Sequence, residues 1–328
     1  MTNLRAGLIG LGTMGRNHAR VLSDLPGVDL VAVADEAGDL HPPARNALFC
    51  RTVDELLEQD LDMAVIAVPT AFHFAIALRL ASAGIHTLVE KPVTDVVADA
   101  ERLAEAFESR GLVGAVGHIE RYNPALQSMR ERIAAGDLGD VYQIATRRQG
   151  PFPARIADVG VIKDLGTHDI DSTAWLAQSS YDTVYAQTAH KSGRPHEDLV
   201  VMTGRLQNRI LTSHLVNWLS PLKERLTIAT GEMGSLVADT LSADLTFYEN
   251  GTIATAWDSI AAFRGVSEGC MIRYALIKRE PLRLEHEAFR DAVLGLRHDE
   301  VTMREGLATL AVAEAAIKSS RTGNTIKL

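Results

Sequence analysis

The stretch "GLIGLGTMG", residues 7–15, sets Gly10, Gly12 and Gly15 as G-x-G-x-x-G between an apolar run and a helical pattern. Glycines so spaced meet three needs: a tight turn from strand into helix, close approach of an anionic ligand to the backbone, and close seating of the helix on the strand. The unpaired N–H groups that open the helix attract the anion. The feature therefore demands a strand entering and a helix leaving, and the following hundred residues repeat that alternation. Strand-like "AGLIG", "VDLVAVAD", "MAVIAV", "HTLVE" and "LVGAVG" are separated by helical patterns over residues 15–25, 53–59, 72–83 and 95–109. Parallel strands need helical crossovers, so this half reads as an α/β, doubly wound Rossmann-type parallel sheet covered on both faces and ending near Gly117.

Beyond Asn123 the pattern changes. One amphipathic helix runs to Ala135, followed by "VYQIATRR", "DTVYAQTAH", "LVVMTGRL", "RILTSHLVNW" and "RLTIATGE". Successive strands without intervening helices predict a C-terminal α+β domain on a large, mainly antiparallel sheet, closed by helices over residues 284–295 and 303–319. The expected domains are residues 1–122 and 123–328, and a 46% hydrophobic chain of 328 residues can fill both cores. A net charge of −9 argues against nucleic acid or an anionic membrane surface as the main partner and leaves small molecules. Cys50 and Cys270 are too few for a disulfide framework, which suits a cytoplasmic setting, as does the strand-like opening "LRAGLIG". The apolar tract over residues 63–85 is broken by Pro69, His73 and Arg79 and is not expected to span a membrane.

Asp35 ends the second strand twenty residues beyond Gly15, where a carboxylate can bond the adenosine ribose hydroxyls. Glu36 follows, and no Arg adjoins the pair in sequence to receive a 2′-phosphate, so the expected cofactor is NAD. Gly10, Gly12, Thr13, Met14 and Gly15 are its candidate pyrophosphate contacts, and His18 is expected to pack or cap. Pro69 and Thr70 of "VIAVPT" fall where loops leave the carboxyl edge of the sheet, the usual ligand side. His73, a turn later, suits cofactor contact or the start of a helix equally. "HTLVEKPV" ends a strand at that edge with Glu90, Lys91 and Pro92. In "KDLGTHDID", Asp164 and His168 lie four apart and share one face if the segment is helical. Metal ligation by Asp164, His168, Asp169 and Asp171 is a rival reading, with no metal expected, and a charged surface helix is the plainest.

Together "GLIGLGTMG", "VADE", "AVPTAFH", "EKP", "DLGTHDID" and "EPLRLEHEAF" resemble, over essentially the whole chain, the glucose-fructose oxidoreductase, inositol dehydrogenase and MocA family. That family comprises NAD(P)-dependent sugar and cyclitol oxidoreductases. The resemblance implies that Lys91, Asp164 and His168 form the catalytic group, that Lys91-Pro92 is cis, and that the active site lies between the domains. It also implies a homodimer or homotetramer through the C-terminal sheet. Narrower similarity in "GHIERYNPAL", "RRQGPFPARIADVGVIKDLGTHDID" and "NWLSPLKERLTI", looser after Gly234, points to the nucleotide-sugar 3-dehydrogenases that oxidise UDP-N-acetylglucosamine. Candidate substrate contacts are Glu120, Arg121, Tyr122, Asn123, Arg155, Lys163, Lys223 and Arg225, with Trp218 expected to pack in the sheet.

The chemistry is consistent with that implication. Oxidising a secondary alcohol removes a hydride and a proton, so a base must reach the oxygen. Histidine titrates nearest neutrality, which favours His168 as base; cationic Lys91 suits the developing negative charge, with Asp164 holding the Lys or the substrate. The alternatives are an inositol, free-sugar or sugar-phosphate dehydrogenase, a ketosugar reductase, and, outside enzymes, a non-catalytic NAD-binding regulator.

Overall fold

The computed structural model describes residues 3–38, 47–152, 159–251 and 267–328. It divides into two compact units: Met1–Ile119 with Glu280–Ala311, and Glu120–Arg279 with Val312–Leu328. The second unit begins at Glu120, where the sequence reading set residue 123, and the chain does not stay in it. Residues 280–311 return to the first.

The first unit is built on β1 (Leu4–Ile9), β2 (Val28–Ala34), β3 (Leu48–Cys50), β4 (Met63–Ile66), β5 (His86–Glu90) and β6 (Gly114–Gly117), in spatial order β3-β2-β1-β4-β5-β6. All neighbouring pairs in this sheet are parallel. The order reverses between β1 and β4, the switch point where open α/β sheets hold their ligands. Strands covered on both faces have no solvent side to alternate with, and all four residues of β4 are buried. Helix α1 (Thr13–Ser23) buries Gly15, His18, Ala19, Val21 and Leu22 along one stripe. The crossovers continue with α2 (Val53–Leu57), α3 (His73–Ser82) and α4 (Val97–Glu108). Helix α2 starts where the Thr52 hydroxyl accepts the Glu55 N–H and the Glu55 carboxylate accepts the Arg51 N–H at 2.8 Å. The returning helix α7 (Pro281–Val293), numbered after two helices of the second unit, sets Phe289 in the same core as Leu8, Leu22 and Met63. Each such fully buried side chain contributes on the order of 2 kcal/mol.

The second unit contains α5 (Pro124–Ala135), α6 (Thr167–Ala177) and a nine-stranded sheet. Its strands are β7 (Val141–Pro151), β8 (Tyr181–Ala189), β9 (Leu199–Leu206), β10 (Leu211–Asn217), β11 (Leu219–Gly231), β12 (Gly234–Asp239), β13 (Asp244–Gly251), β14 (Ser267–Tyr274) and β15 (Ile326–Lys327). The order is β14-β13-β12-β11-β7-β10-β9-β8-β15, antiparallel except for the central β7/β10 pair. One face carries Ile144, Met202, Val216, Ala229 and Leu236 into the core shared with Leu126, Ile170 and Leu176 of α5 and α6. The opposite face leaves Val201, Leu211, Tyr248 and Met271 exposed. Helix α8 (Met303–Thr322) runs continuously from the first unit's last residues into the second's. Among the described residues, no helix is long and apolar enough to cross a membrane.

Candidate active site

In the first unit the glycine turn distributes its three glycines among three physical jobs. Gly10 has φ +96, and a Cβ there would stand 2.6 Å from the Ala67 carbonyl oxygen. A Cβ on Gly15 would fall 1.9 Å from the Gly10 carbonyl oxygen, so this glycine is what lets α1 sit on β1. Gly12 differs: a Cβ there would meet no protein atom within 4 Å. Its smallness serves no internal packing, and the space it leaves open lies at the N-terminus of α1. That terminus has no side-chain cap and no acidic residue in its first turn. An anion is the partner such a terminus lacks.

Asp35 stands at the end of β2. Its Oδ2 accepts the Leu11 N–H at 2.6 Å and its Oδ1 the Ala37 N–H at 2.9 Å, which holds the carboxylate beside the glycine turn with lone pairs to spare. Asp35 shares a pocket with Gly10, Arg51, Val68, Pro69 and Phe72. Arg51 escaped the sequence reading because it lies sixteen positions from Asp35 along the chain; the pairing of β3 beside β2 brings it round.

At the end of β5, Glu90 is followed by Lys91 and a cis peptide to Pro92, as the family resemblance implied. Both stand at the carboxyl edge of the parallel sheet, as the glycine turn and Pro69 do. The Lys91 N–H donates to Glu90 Oε2 at 3.1 Å. Burial pushes the Glu90 pKa up, but the bond from His18 together with the charges of His18 and Lys91 outweighs it and holds the carboxyl below its ordinary range. His73 is buried, its Nδ1 lying 3.0 Å from the Pro92 carbonyl and its Nε2 2.9 Å from that of Val68. Each ring nitrogen faces a carbonyl of the loops that carry Pro69 and Lys91; burial lowers the imidazole's pKa, and the neutral ring this favours donates to one of the two. His73 supports that edge and does not line the pocket beside Asp35.

In the second unit, "KDLG" forms a π-helical turn, Ile162–Gly166, which runs straight into α6. The wider turn is rare and costs helical hydrogen bonding, which is why it concentrates at functional positions. Asp164 is buried within it and His168 is half-buried on the first turn of α6. The expected regular α-helical face is therefore a π turn leading into an α turn. Arg225 of β11 is half-buried, feels the charge of Asp164, and has an Nη1 with no hydrogen-bond partner. Burial, and next the neighbouring Arg148, lower its pKa.

Around this turn lies a set of buried ion pairs. Arg148 Nε donates to Asp169 at 2.9 Å and its Nη1 to Glu120 at 2.8 Å. Arg121 grips Asp171 with Nε at 2.8 Å and Nη2 at 2.7 Å. Breaking a buried pair of this kind by removing one partner costs about 3–5 kcal/mol, because the other charge stays buried. Asp169 and Asp171, two of the three carboxylates weighed as metal ligands, each face a guanidinium. Glu120 and Arg121, expected to touch substrate, are engaged in these pairs. Asn123 caps α5, accepting the Ala125 N–H and donating to the Thr240 carbonyl. Tyr122 is buried, and Lys163 pairs with Glu314 at 2.6 Å. Lys223 is exposed on β11. Trp218 is buried against Phe152, edge to face, and under the Arg194 guanidinium, a packing role. Arg155 lies outside the described residues.

Residues 4–118 match a family model described as "Oxidoreductase family, NAD-binding Rossmann fold", and residues 126–237 match the "GFO/IDH/MocA C-terminal domain". Together these matches cover more than half of the chain. The chain belongs to the Gfo/Idh/MocA oxidoreductase family. Within this family it is 38% identical over 179 residues to a UDP-N-acetylglucosamine 3-dehydrogenase of Acidithiobacillus ferrooxidans, covering 54% of this chain and 55% of that one. It is 28% identical over 337 residues to inositol 2-dehydrogenase 2 of Saccharopolyspora erythraea, covering 98% and 94%. The chain spans between half and two thirds of the length of the first curated relatives it matches. A solved structure of the A. ferrooxidans UDP-N-acetylglucosamine 3-dehydrogenase superposes with a TM-score of 0.84 at 28% identity, covering 97% of this chain and 98% of that one. The matched first domain is described as NAD-binding, and the turn fits that cofactor: Gly12 leaves room, α1 opens with uncapped N–H groups, and Asp35 offers an acceptor beside them.

Proposed function

We propose that this protein is an NAD-dependent dehydrogenase acting on a secondary alcohol of a sugar, the 3-hydroxyl of UDP-N-acetylglucosamine or a close relative. The observation that carries the proposal is Lys91. It follows Glu90 at the carboxyl end of β5, the edge of the parallel sheet that also bears the glycine turn. Bound NAD supplies the hydride acceptor. Gly10, Gly12 and Gly15 admit its pyrophosphate, Asp35 accepts from its ribose, and Pro69 and Thr70 flank it. Lys91 donates to the reacting oxygen and stabilises the negative charge that builds there. His168 removes the hydroxyl proton, and Asp164, buried four residues earlier, orients that exchange. Arg225, with a guanidinium nitrogen still to be satisfied, and the exposed Lys223 suit the pyrophosphate of a nucleotide sugar; a cyclitol would need neither cation. The exposed apolar residues on the outer face of the nine-stranded sheet support pairing with a second copy of the chain.

Lys91→Ala and His168→Ala are each expected to lower turnover by about a hundredfold or more while NAD still binds, measured as reduced-cofactor absorbance with the ketone product trapped. Turnover near wild type in either variant would remove that residue from the mechanism. NAD binding with no reduction by any sugar would favour a regulator.

A further inference from the structure

His18, on α1 one turn past the glycine motif, is fully buried, and both of its ring nitrogens are engaged. Its Nε2 lies 2.9 Å from Glu90 Oε1 and its Nδ1 lies 2.8 Å from His286 Nε2 on α7. The two imidazoles meet edge to face, with centroids 5.0 Å apart. The other Glu90 oxygen takes the Lys91 N–H. A row thus runs from the returning helix through the cofactor helix to the reaction edge: His286, His18, Glu90, Lys91.

Hydrogen-bond chemistry restricts where the protons sit. A carboxylate only accepts, so with Glu90 ionised the His18 Nε2 carries a hydrogen. One further hydrogen occupies the Nδ1···Nε2 contact. If His286 owns it, His18 is neutral and the row bears the charge of Glu90 alone. If His18 owns it, His18 is an imidazolium and cancels that charge, with His286 then carrying its own hydrogen on Nδ1, an atom with no other partner in the structure. Glu285, next along α7, is buried with neither carboxyl oxygen bonded. Burial and the nearby Glu90 raise its pKa well above the ordinary value. Burial, with His18 beside it, drives the His286 pKa well down. The groups that face His18 are Glu90 from β5 and His286 from α7, with Lys91 next in line and Glu285 near Glu90.

We propose that His18 is a positioning residue of the reaction: by donating to Glu90 it fixes the carboxylate that holds the Lys91 backbone. The inference rests on the assignment of Lys91 to catalysis.

The test uses two variants that differ in reach. Gln at position 18 extends to where Nε2 sits and can still donate to Glu90; Asn stops near Nδ1 and keeps only the contact with His286. His18→Asn is expected to lower kcat by about tenfold or more, with the NAD dissociation constant within about threefold of wild type, because a small misplacement of a reacting group costs this much. His18→Gln is expected to recover kcat to within about threefold, because its amide still donates to Glu90. Wild-type kcat in His18→Asn, or equal losses of kcat in both variants with a lower Tm, would overturn the proposal. Lys91→Ala, run alongside, separates the two ideas. If that variant keeps its turnover, the assignment of Lys91 fails and this inference with it. If it is inactive while His18→Asn is fully active, the positioning role alone fails.

Discussion

The Leu11 N–H donates to the Asp35 carboxylate at 2.6 Å, tying the acid that ends β2 to the glycine turn that follows β1. The bond fixes where a negative charge stands in the cofactor pocket, and a 2′-phosphate brought there would meet it.

Cofactor preference follows from that charge. NAD is expected to be used more efficiently than NADP, and Asp35→Ser combined with Glu36→Arg should narrow the gap, with Arg51 already in the same pocket to help receive a phosphate. The ratio of kcat/KM for the two cofactors measures it. Wild-type protein that uses NADP at least as well as NAD would contradict the assignment of Asp35.

A second expectation concerns acid. His214 is buried on the inner face of the large sheet, its Nδ1 2.8 Å from the Thr146 hydroxyl and its Nε2 2.9 Å from that of Tyr181, and burial lowers its pKa to about 3. The unfolded chain takes up this proton near the ordinary histidine value of about 6.5 while the native state refuses it. This contribution to stability is therefore complete above that value and is lost as pH falls from there toward about 3. The slope is roughly 1.4 kcal/mol per pH unit, to order of magnitude. Urea unfolding of wild type and His214→Gln at pH 7 and pH 5 isolates the group from Glu285, whose raised pKa acts in the opposite sense. The variant should lose less stability on acidification; parallel losses would show that His214 is not held neutral.

Substrate charge gives a third. Lys223→Ala and Arg225→Ala are expected to raise the Michaelis constant for a UDP-sugar about tenfold or more and to leave that for NAD within about twofold, as lost substrate binding requires. Unchanged constants for the nucleotide sugar, with robust turnover of free inositol, would move the reading to a cyclitol dehydrogenase.

Much of this was legible in the sequence, for physical reasons. The glycine turn, the strand and helix alternation and the change of pattern after Asn123 are local signals, and the elements formed where they fell. What escaped was long-range. The amphipathic stripe of α7 announced that one face is buried but not that it packs in the first unit. The partner of His18 lies 268 residues away, so no periodicity could reveal it. Arg121 reads as a substrate contact until Asp171, fifty residues on, is folded against it. The π turn at Asp164 carries the same apolar spacing as an ordinary helix, and sequence alone gives no sign of the extra residue it accommodates.

The central claim is direct hydride transfer from a sugar carbon to NAD, and an isotope follows that transfer itself. The protein should be incubated with NAD and UDP-N-acetylglucosamine deuterated at C3, with the ketone trapped, and the reduced cofactor examined by mass spectrometry. The expected result is reduced NAD carrying the deuterium, in amounts matching the ketosugar formed, and formed about a hundredfold or more slower with Lys91→Ala. Reduced cofactor without deuterium, or none from this or any other deuterated sugar although NAD binds, would contradict the account.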